Sequence, residues 1–192
     1  MSLVSSASEV LALLRRDGVS GCIVGGIAVS VHCDPRFTGD IDIAIAVESD
    51  ERAEVLMRSL MTHGYHTSAV VEQEAVGRLA MTRLVSSDGT SIDLLIASSG
   101  IEAEIVADAE KVEIVRGTFL PVARVGHLIA LKLLSVAPGR ETDTADLRNL
   151  AVVADNDEWN RASLAVQMIT DRGYARGRNL EIDLQALRPD KV

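Results

Sequence analysis

Aromatic side chains are nearly missing from this sequence, making up 3% of its 192 residues. So few rings leave little with which to stack unpaired bases, which weighs against a single-strand nucleic-acid platform. The core must instead be built from Val, Leu, Ile and Ala. Cysteine is scarce as well: Cys22 and Cys33 show no CxxC spacing, a usage that predicts reduced thiols in a cytoplasmic protein rather than a disulfide framework. Basic charge is in deficit, with 19 Lys and Arg against 28 Asp and Glu and a formal net charge of -9. Such a chain repels a polyanion unless a local patch or bound metal ions reverse the field. No apolar run approaches the roughly 18 residues of a membrane span, and the opening Met1-Ser-Leu-Val lacks the basic flank and apolar stretch of a signal peptide. No membrane partner is expected.

Apolar residues account for 47% of the chain and charged ones for 24%, so a packed domain with a substantial interior is expected rather than disorder or a fibrous repeat. Helical spacing of Val10, Leu11, Leu13 and Leu14 predicts a first helix over 8–16, with Ser5, Ser6 and Ser8 available to cap it. Gly21 to Gly25 reads as a short apolar strand that breaks at Gly25-Gly26, after which Ile27, Ala28 and Val31 open a helix. Gly39 to Val47 is a β-branched strand, residues 49–63 an amphipathic helix, and 79–85 and 90–97 a hairpin around Ser87-Asp-Gly89. A helix over 101–110 and short strands at 112–115 and 119–122 follow. Beyond residue 124 the patterning turns helical, over 125–136, 143–153, 159–171 and 180–187. The expected fold is α/β: a mixed, twisted sheet of four to six strands in residues 1–124, with a helical segment, 125–192, packed on that core and partly closing a cleft.

The chemistry concentrates at one strand. Asp40 and Asp42 lie at i and i+2, so both project from the same face while Ile41 and Ile43 take the other. Two carboxylates that close repel one another, and a divalent cation is the usual compensation; oxygen ligands suit Mg²⁺. Asp93 sits among Ile92, Leu94 and Leu95 in an otherwise apolar strand, where an unpaired charge is costly and a metal beside Asp42 resolves the conflict. An Asp-x-Asp at a strand start is, taken alone, more often a solvated turn feature. It is the ordered combination of strand, Gly-Gly, helix, Arg36-Phe-Thr38, Asp40-Ile-Asp42 and a later buried Asp93 that points to chemistry.

Val24-Gly-Gly-Ile-Ala-Val29 followed by Pro35-Arg-Phe-Thr-Gly-Asp-Ile-Asp-Ile43 resembles the signature of the DNA polymerase β-like nucleotidyltransferase superfamily. Within it, the pattern is most similar to the AbiEii-like group of abortive-infection and toxin–antitoxin proteins. Val125-Gly-His-Leu-Ile-Ala-Leu-Lys132, with Arg140, Asp143 and Asp146-Leu147, resembles that group's helical segment. The resemblance implies a two-Mg²⁺ nucleotidyltransferase that moves a nucleoside monophosphate from an NTP to a hydroxyl, RNA being one acceptor and an antitoxin chain one partner. It implies that Asp40 and Asp42 hold the metals, that Asp93 completes the set and assists the nucleophile, and that Gly25 and Gly26 present backbone N–H groups to phosphates. Many superfamily members carry Gly-Ser where this chain has Gly25-Gly26, so one hydroxyl contact to phosphate is lost.

The remaining candidates keep two readings each. Arg36 reaches a phosphate or pairs with Asp34 at the surface; Thr38 contacts the nucleotide or braces its turn. Lys132 points into the site or snorkels to solvent. Arg140, with Asp143, serves the nucleotide or a helix cap. His32-Cys33-Asp34 contains metal-ligand types, but neighbours on a helix end rarely converge on one ion. Arg172, Arg176 and Arg178 gather positive charge that reads as a solvated loop or an RNA contact. A non-catalytic nucleotide- or partner-binding module and a small-molecule nucleotidyltransferase of the aminoglycoside-modifying kind are the alternative functions.

Overall fold

The computed structural model describes residues 2–188; residues 1 and 189–192, where the expected C-terminal segment ends, lie outside the described residues. The chain runs α1 (Leu3–Arg16), β1 (Ser20–Val24), α2 (Gly25–His32), β2 (Asp40–Ala46), α3 (Asp50–Thr62), β3 (His66–Gln73), β4 (Arg78–Val85), β5 (Ser91–Leu95). Then follow α4 (Glu102–Ala107), β6 (Glu110–Val115), β7 (Thr118–Val122), α5 (Val125–Ser135), α6 (Glu141–Val153), α7 (Asn156–Asp171) and α8 (Leu180–Leu187). The strands form one mixed sheet in the order β3-β4-β5-β2-β1-β7-β6. Strand β2 lies near its centre, antiparallel to β1 and parallel to β5.

Seven strands replace the four to six expected. The strand absent from the sequence reading is β3, almost all of whose side chains are exposed. It has no buried face to print an apolar alternation, and its backbone pairing with β4 holds it at the sheet edge. The first helix also begins earlier than expected, at Leu3. Ser2, rather than Ser5, Ser6 or Ser8, accepts the capping hydrogen bond, from the Ser5 backbone N–H at 3.2 Å.

The core is one contiguous cluster. Ile41, Ile43 and Ile45 of β2 and Ile92 and Leu94 of β5 are fully buried on one face, where α1 and α4 contribute Leu14 and Ile105. On the other face α5 packs between α2, α6 and α7. Leu128, Ile129, Ala130 and Leu133 leave that helix almost no exposed side, as befits an element enclosed on several sides. The same cluster runs from the sheet into Leu150, Val166 and Leu180, so the helices beyond residue 125 share the interior of the sheet.

Candidate functional site

Parallel pairing of β2 with β5 puts Asp42 opposite Asp93 and Asp40 opposite Ser91. Because side chains alternate, this register aims all three carboxylates to one face. One oxygen from each of Asp40, Asp42 and Asp93 lies within 4.8 Å of the others. The three groups line an open cleft of about 640 Å³ between the sheet face and α5. Burial, followed by repulsion from Asp40 and Asp93, pushes the Asp42 carboxyl up to about 6, with Lys132 and the Gly26 backbone N–H pulling weakly the other way. Three converging carboxylates, with the charge of Asp42 disfavoured by burial and by its neighbours, fit a divalent cation such as Mg²⁺ by their chemistry.

The glycines meet this cluster at close range. Gly25 begins α2 with φ +59°, a left-handed conformation, and a Cβ there would overlap the Asp42 carboxylate. A Cβ on Gly26 would meet Thr38 Oγ1 at 2.8 Å and Arg36 at 3.0 Å. The glycine pair thus lets the turn lie flat against the carboxylates, and the Gly26 N–H is directed at Asp42. Thr38 braces its turn by donating from Oγ1 to Asp40 Oδ1 at 3.1 Å.

Arg36, Lys132 and Arg140 are held in ion pairs. Arg36 does not pair with Asp34. Its Nε and Nη2 donate to the two oxygens of Asp146 at 2.7 Å each. Asp146 is fully buried on α6 and also takes Lys132 Nζ at 2.8 Å. Burial pushes the Asp146 carboxyl up, but the hydrogen bonds from Arg36 and Lys132 prevail and hold it below the usual carboxylate range. Lys132 therefore does not snorkel: it lines the cleft and reaches Asp143 at 2.6 Å. Arg140, more exposed, pairs with the same Asp143 at 2.9 Å.

Two residues of the site carry no role in the sequence reading. Arg83 on β4 forms a bidentate pair with Asp93, Nε and Nη2 each donating at 2.7 Å, and that pairing raises the guanidinium above its ordinary range. Asp93 therefore has a protein counter-charge already, and a metal is not the sole answer to its burial. The signal was present: a hairpin turning at Ser87-Asp-Gly89 with Val85 opposite Ser91 puts Arg83 opposite Asp93. Asp146, by contrast, left no signal beyond its place in the helical motif, since nothing local indicates that it answers Arg36.

The C-terminal arginines lie on a solvent-exposed loop but do not form one free basic patch. Arg172 pairs with Glu104 at 2.6 Å and donates to the Gly100 carbonyl. Arg178 donates to the Leu133 and Val136 carbonyls at the end of α5 and pairs with Asp183 at 2.8 Å. These two fasten the last helices to the core, and only Arg176 of the three lines the cleft. His32 Nε2 donates to the Ala123 carbonyl at 2.9 Å, away from the one metal-binding cluster found among the described residues.

No protein-family model matches the sequence, and no curated protein matches it. The fold does match: the chain has the nucleotidyltransferase fold, an α/β arrangement of a mixed seven-stranded sheet with C-terminal helices. Among solved structures it is similar to an antigenic nucleotidyltransferase-like protein from Paracoccidioides brasiliensis, with a TM-score of 0.54 and 17% identity over 96% of this chain and 92% of that one. It is similar also to the antibiotic-resistance factor ANT(2'')-Ia in solution, with a TM-score of 0.56 and 18% identity over 95% and 97%. The crystal structure of ANT(2'')-Ia with adenylyl-2''-tobramycin gives 0.54 and 16% over 88% and 97%. None of these likenesses singles out the AbiEii-like group.

Proposed function

We propose that this protein is a Mg²⁺-dependent nucleotidyltransferase that joins a nucleoside monophosphate from an NTP to a hydroxyl and releases pyrophosphate. The observation that carries the reading is the convergence of Asp40, Asp42 and Asp93 within 4.8 Å, beside the Gly25-Gly26 turn and inside an open cleft. Asp40 and Asp42 would hold two ions and Asp93 a share of one; so bound, the metal would neutralise the cluster and polarise the α-phosphate. Gly26, Thr38 and Lys132 supply the polar wall for the triphosphate, while Arg36 keeps Lys132 and Asp146 in register. The acceptor oxygen attacks phosphorus, the bond to the pyrophosphate oxygen breaks, and the hydroxyl proton needs a base. Arg83 occupies both oxygens of Asp93, so for Asp93 to take that proton Arg83 must first release one of them.

The acceptor reading turns on the arginines. Arg172 and Arg178 are spent on contacts within the protein, which leaves an RNA little free positive charge on a -9 chain. A small-molecule hydroxyl is favoured over RNA, and ANT(2'')-Ia, solved with an adenylylated tobramycin, offers a precedent on the same fold. The AbiEii-like placement, a toxin role with an antitoxin partner and a cytoplasmic location rest on the sequence motifs and thiol usage alone. No helix among the described residues is long and apolar enough to cross a membrane. The test is incubation with α-labelled NTPs, Mg²⁺ and either total RNA or small hydroxyl compounds, with Asp42→Asn beside wild type. Label should pass to an acceptor only with wild type. No transfer, together with no Mg²⁺-dependent nucleotide binding, would overturn the reading.

A further inference from the structure

The cleft has two unlike walls. On the α2 side stand Gly26, Thr38 and Lys132, the surface assigned above to the triphosphate. The opposite wall follows from the sheet register: Arg83 pairs with Asp93, Met81 with Leu95, and Val71 with Met81. Alternation places Val71, Met81 and Leu95 on the same face as the Arg83–Asp93 pair, one strand step away. This strip is apolar and carries no carboxylate beyond the triad. At its far end Ser98, in the loop that follows β5, meets Arg176.

Arg176 is unusual in two independent ways. Among the described residues it is the one non-glycine with positive φ, at 54°, although Gly173 and Gly177 stand nearby. A long side chain rarely adopts that conformation, and where one does, a local requirement holds it there. Arg176 is also the one cation lining the cleft without a carboxylate partner among the described residues. Its Nη2 donates to the Ser98 carbonyl at 3.0 Å and approaches Ser98 Oγ at 3.4 Å. Arg36, Arg83, Lys132 and Arg140 each have an acidic partner. Much of the Arg176 side chain remains accessible to solvent, yet partial burial lowers its guanidinium below the usual range; Glu102 opposes this, and Arg140 and Arg178 add to it. A bound anion would supply the missing partner and offset the effect of burial on the guanidinium.

Building on the nucleotidyl-transfer reading, we propose that Arg176 is the specificity-determining residue of the acceptor site, and that the acceptor carries a carboxylate or phosphate there and an apolar body against Val71, Met81 and Leu95. A polycationic acceptor meets no acidic wall on this side. The -9 charge of the whole chain steers cations in general, but the groups that touch an acceptor decide selection at contact distance.

The test uses three probes that share an alkyl body and differ in head group: octanoate, octyl phosphate and octylammonium. Binding is read by calorimetry and by the methyl resonance of Met81. Wild type should bind at least one anion ten-fold or more tightly than octylammonium, with the Met81 signal moving; whichever anion binds tighter identifies the head group. Arg176→Gly should abolish that preference while raising the melting temperature, because glycine accepts the backbone conformation freely. Arg176→Lys should keep part of the preference. Equal or tighter binding of octylammonium by wild type, or undiminished anion preference in Arg176→Gly, would overturn the proposal. A non-hydrolysable ATP analogue with Mg²⁺ should bind wild type and Arg176→Gly alike. Failure of that arm in wild type sinks the nucleotidyl-transfer reading, whereas failure of the alkyl arm alone sinks only the acceptor assignment.

Discussion

Replacing Arg83 by Gln removes the protein's own counter-charge to Asp93 and should make stability depend on metal. In the bidentate pair the Asp93 side chain is 10% exposed and that of Arg83 is 43% exposed. A fully exposed pair contributes about 0.2–1 kcal/mol, and breaking a fully buried one costs about 3–5 kcal/mol. This pair, with one side buried and one open, falls between, near 2 kcal/mol. For a chain of this size that corresponds to a drop of about 4–8 °C in melting temperature. The loss is expected in EDTA at low salt, where three clustered carboxylates then face little beyond Lys132. Mg²⁺ should reverse it: with the competing guanidinium gone the ion binds more tightly, and saturation at about 100 times Kd contributes about 2.7 kcal/mol. The assay is a thermal melt of wild type and Arg83→Gln in EDTA and across an Mg²⁺ titration, with Mn²⁺ binding followed by electron paramagnetic resonance. If the variant melts within about 1 °C of wild type in EDTA, or if Mg²⁺ raises both proteins equally, Arg83 is not a surrogate for the metal.

Three further outcomes follow from the same geometry. The Asp42 carboxyl is raised from 3.8 to about 6, so the folded protein binds a proton there more tightly than the unfolded chain; metal-free stability should fall as pH rises from about 4 through 6. Asp42→Asn should flatten that fall in EDTA melts and abolish transfer; a melting profile with the wild-type slope would show that another group titrates. Gly25→Ala should destabilise by more than the roughly 1–2 kcal/mol of a left-handed alanine, because its Cβ displaces Asp42, and should weaken Mn²⁺ binding. Gly64→Ala, at φ +88° with open space around it, is the control that should lose stability but keep metal affinity. Asp146→Asn leaves Arg36 and Lys132 short of their buried partner and should cost about 3–5 kcal/mol in urea unfolding; a loss below about 1 kcal/mol would mean the pairs re-form elsewhere.

Much of this site is legible in the sequence because it is written in local terms. Asp40 and Asp42 share a face by the two-residue period of a strand, and Gly25-Gly26 marks a sharp strand-to-helix turn. Asp93 stands out as a charge within an apolar run, and the Ser87-Asp-Gly89 turn fixes a hairpin whose register already implies Arg83 opposite Asp93. The helices beyond residue 125 announce themselves by apolar spacing. Strand β3 stays silent for the complementary reason: an exposed edge is held by backbone hydrogen bonds, which leave no pattern in side-chain type.

What the tertiary structure alone decided is which charges meet. Arg36 and Asp146 pair across 110 positions of sequence. Arg172 and Arg178 neutralise themselves against the core instead of forming a patch, and Arg176 turns into the cleft on a strained backbone. The physical reason is one of range: periodicity and turn propensity act within a few residues, whereas an ion pair requires only proximity in space, and proximity is set by how the whole chain packs.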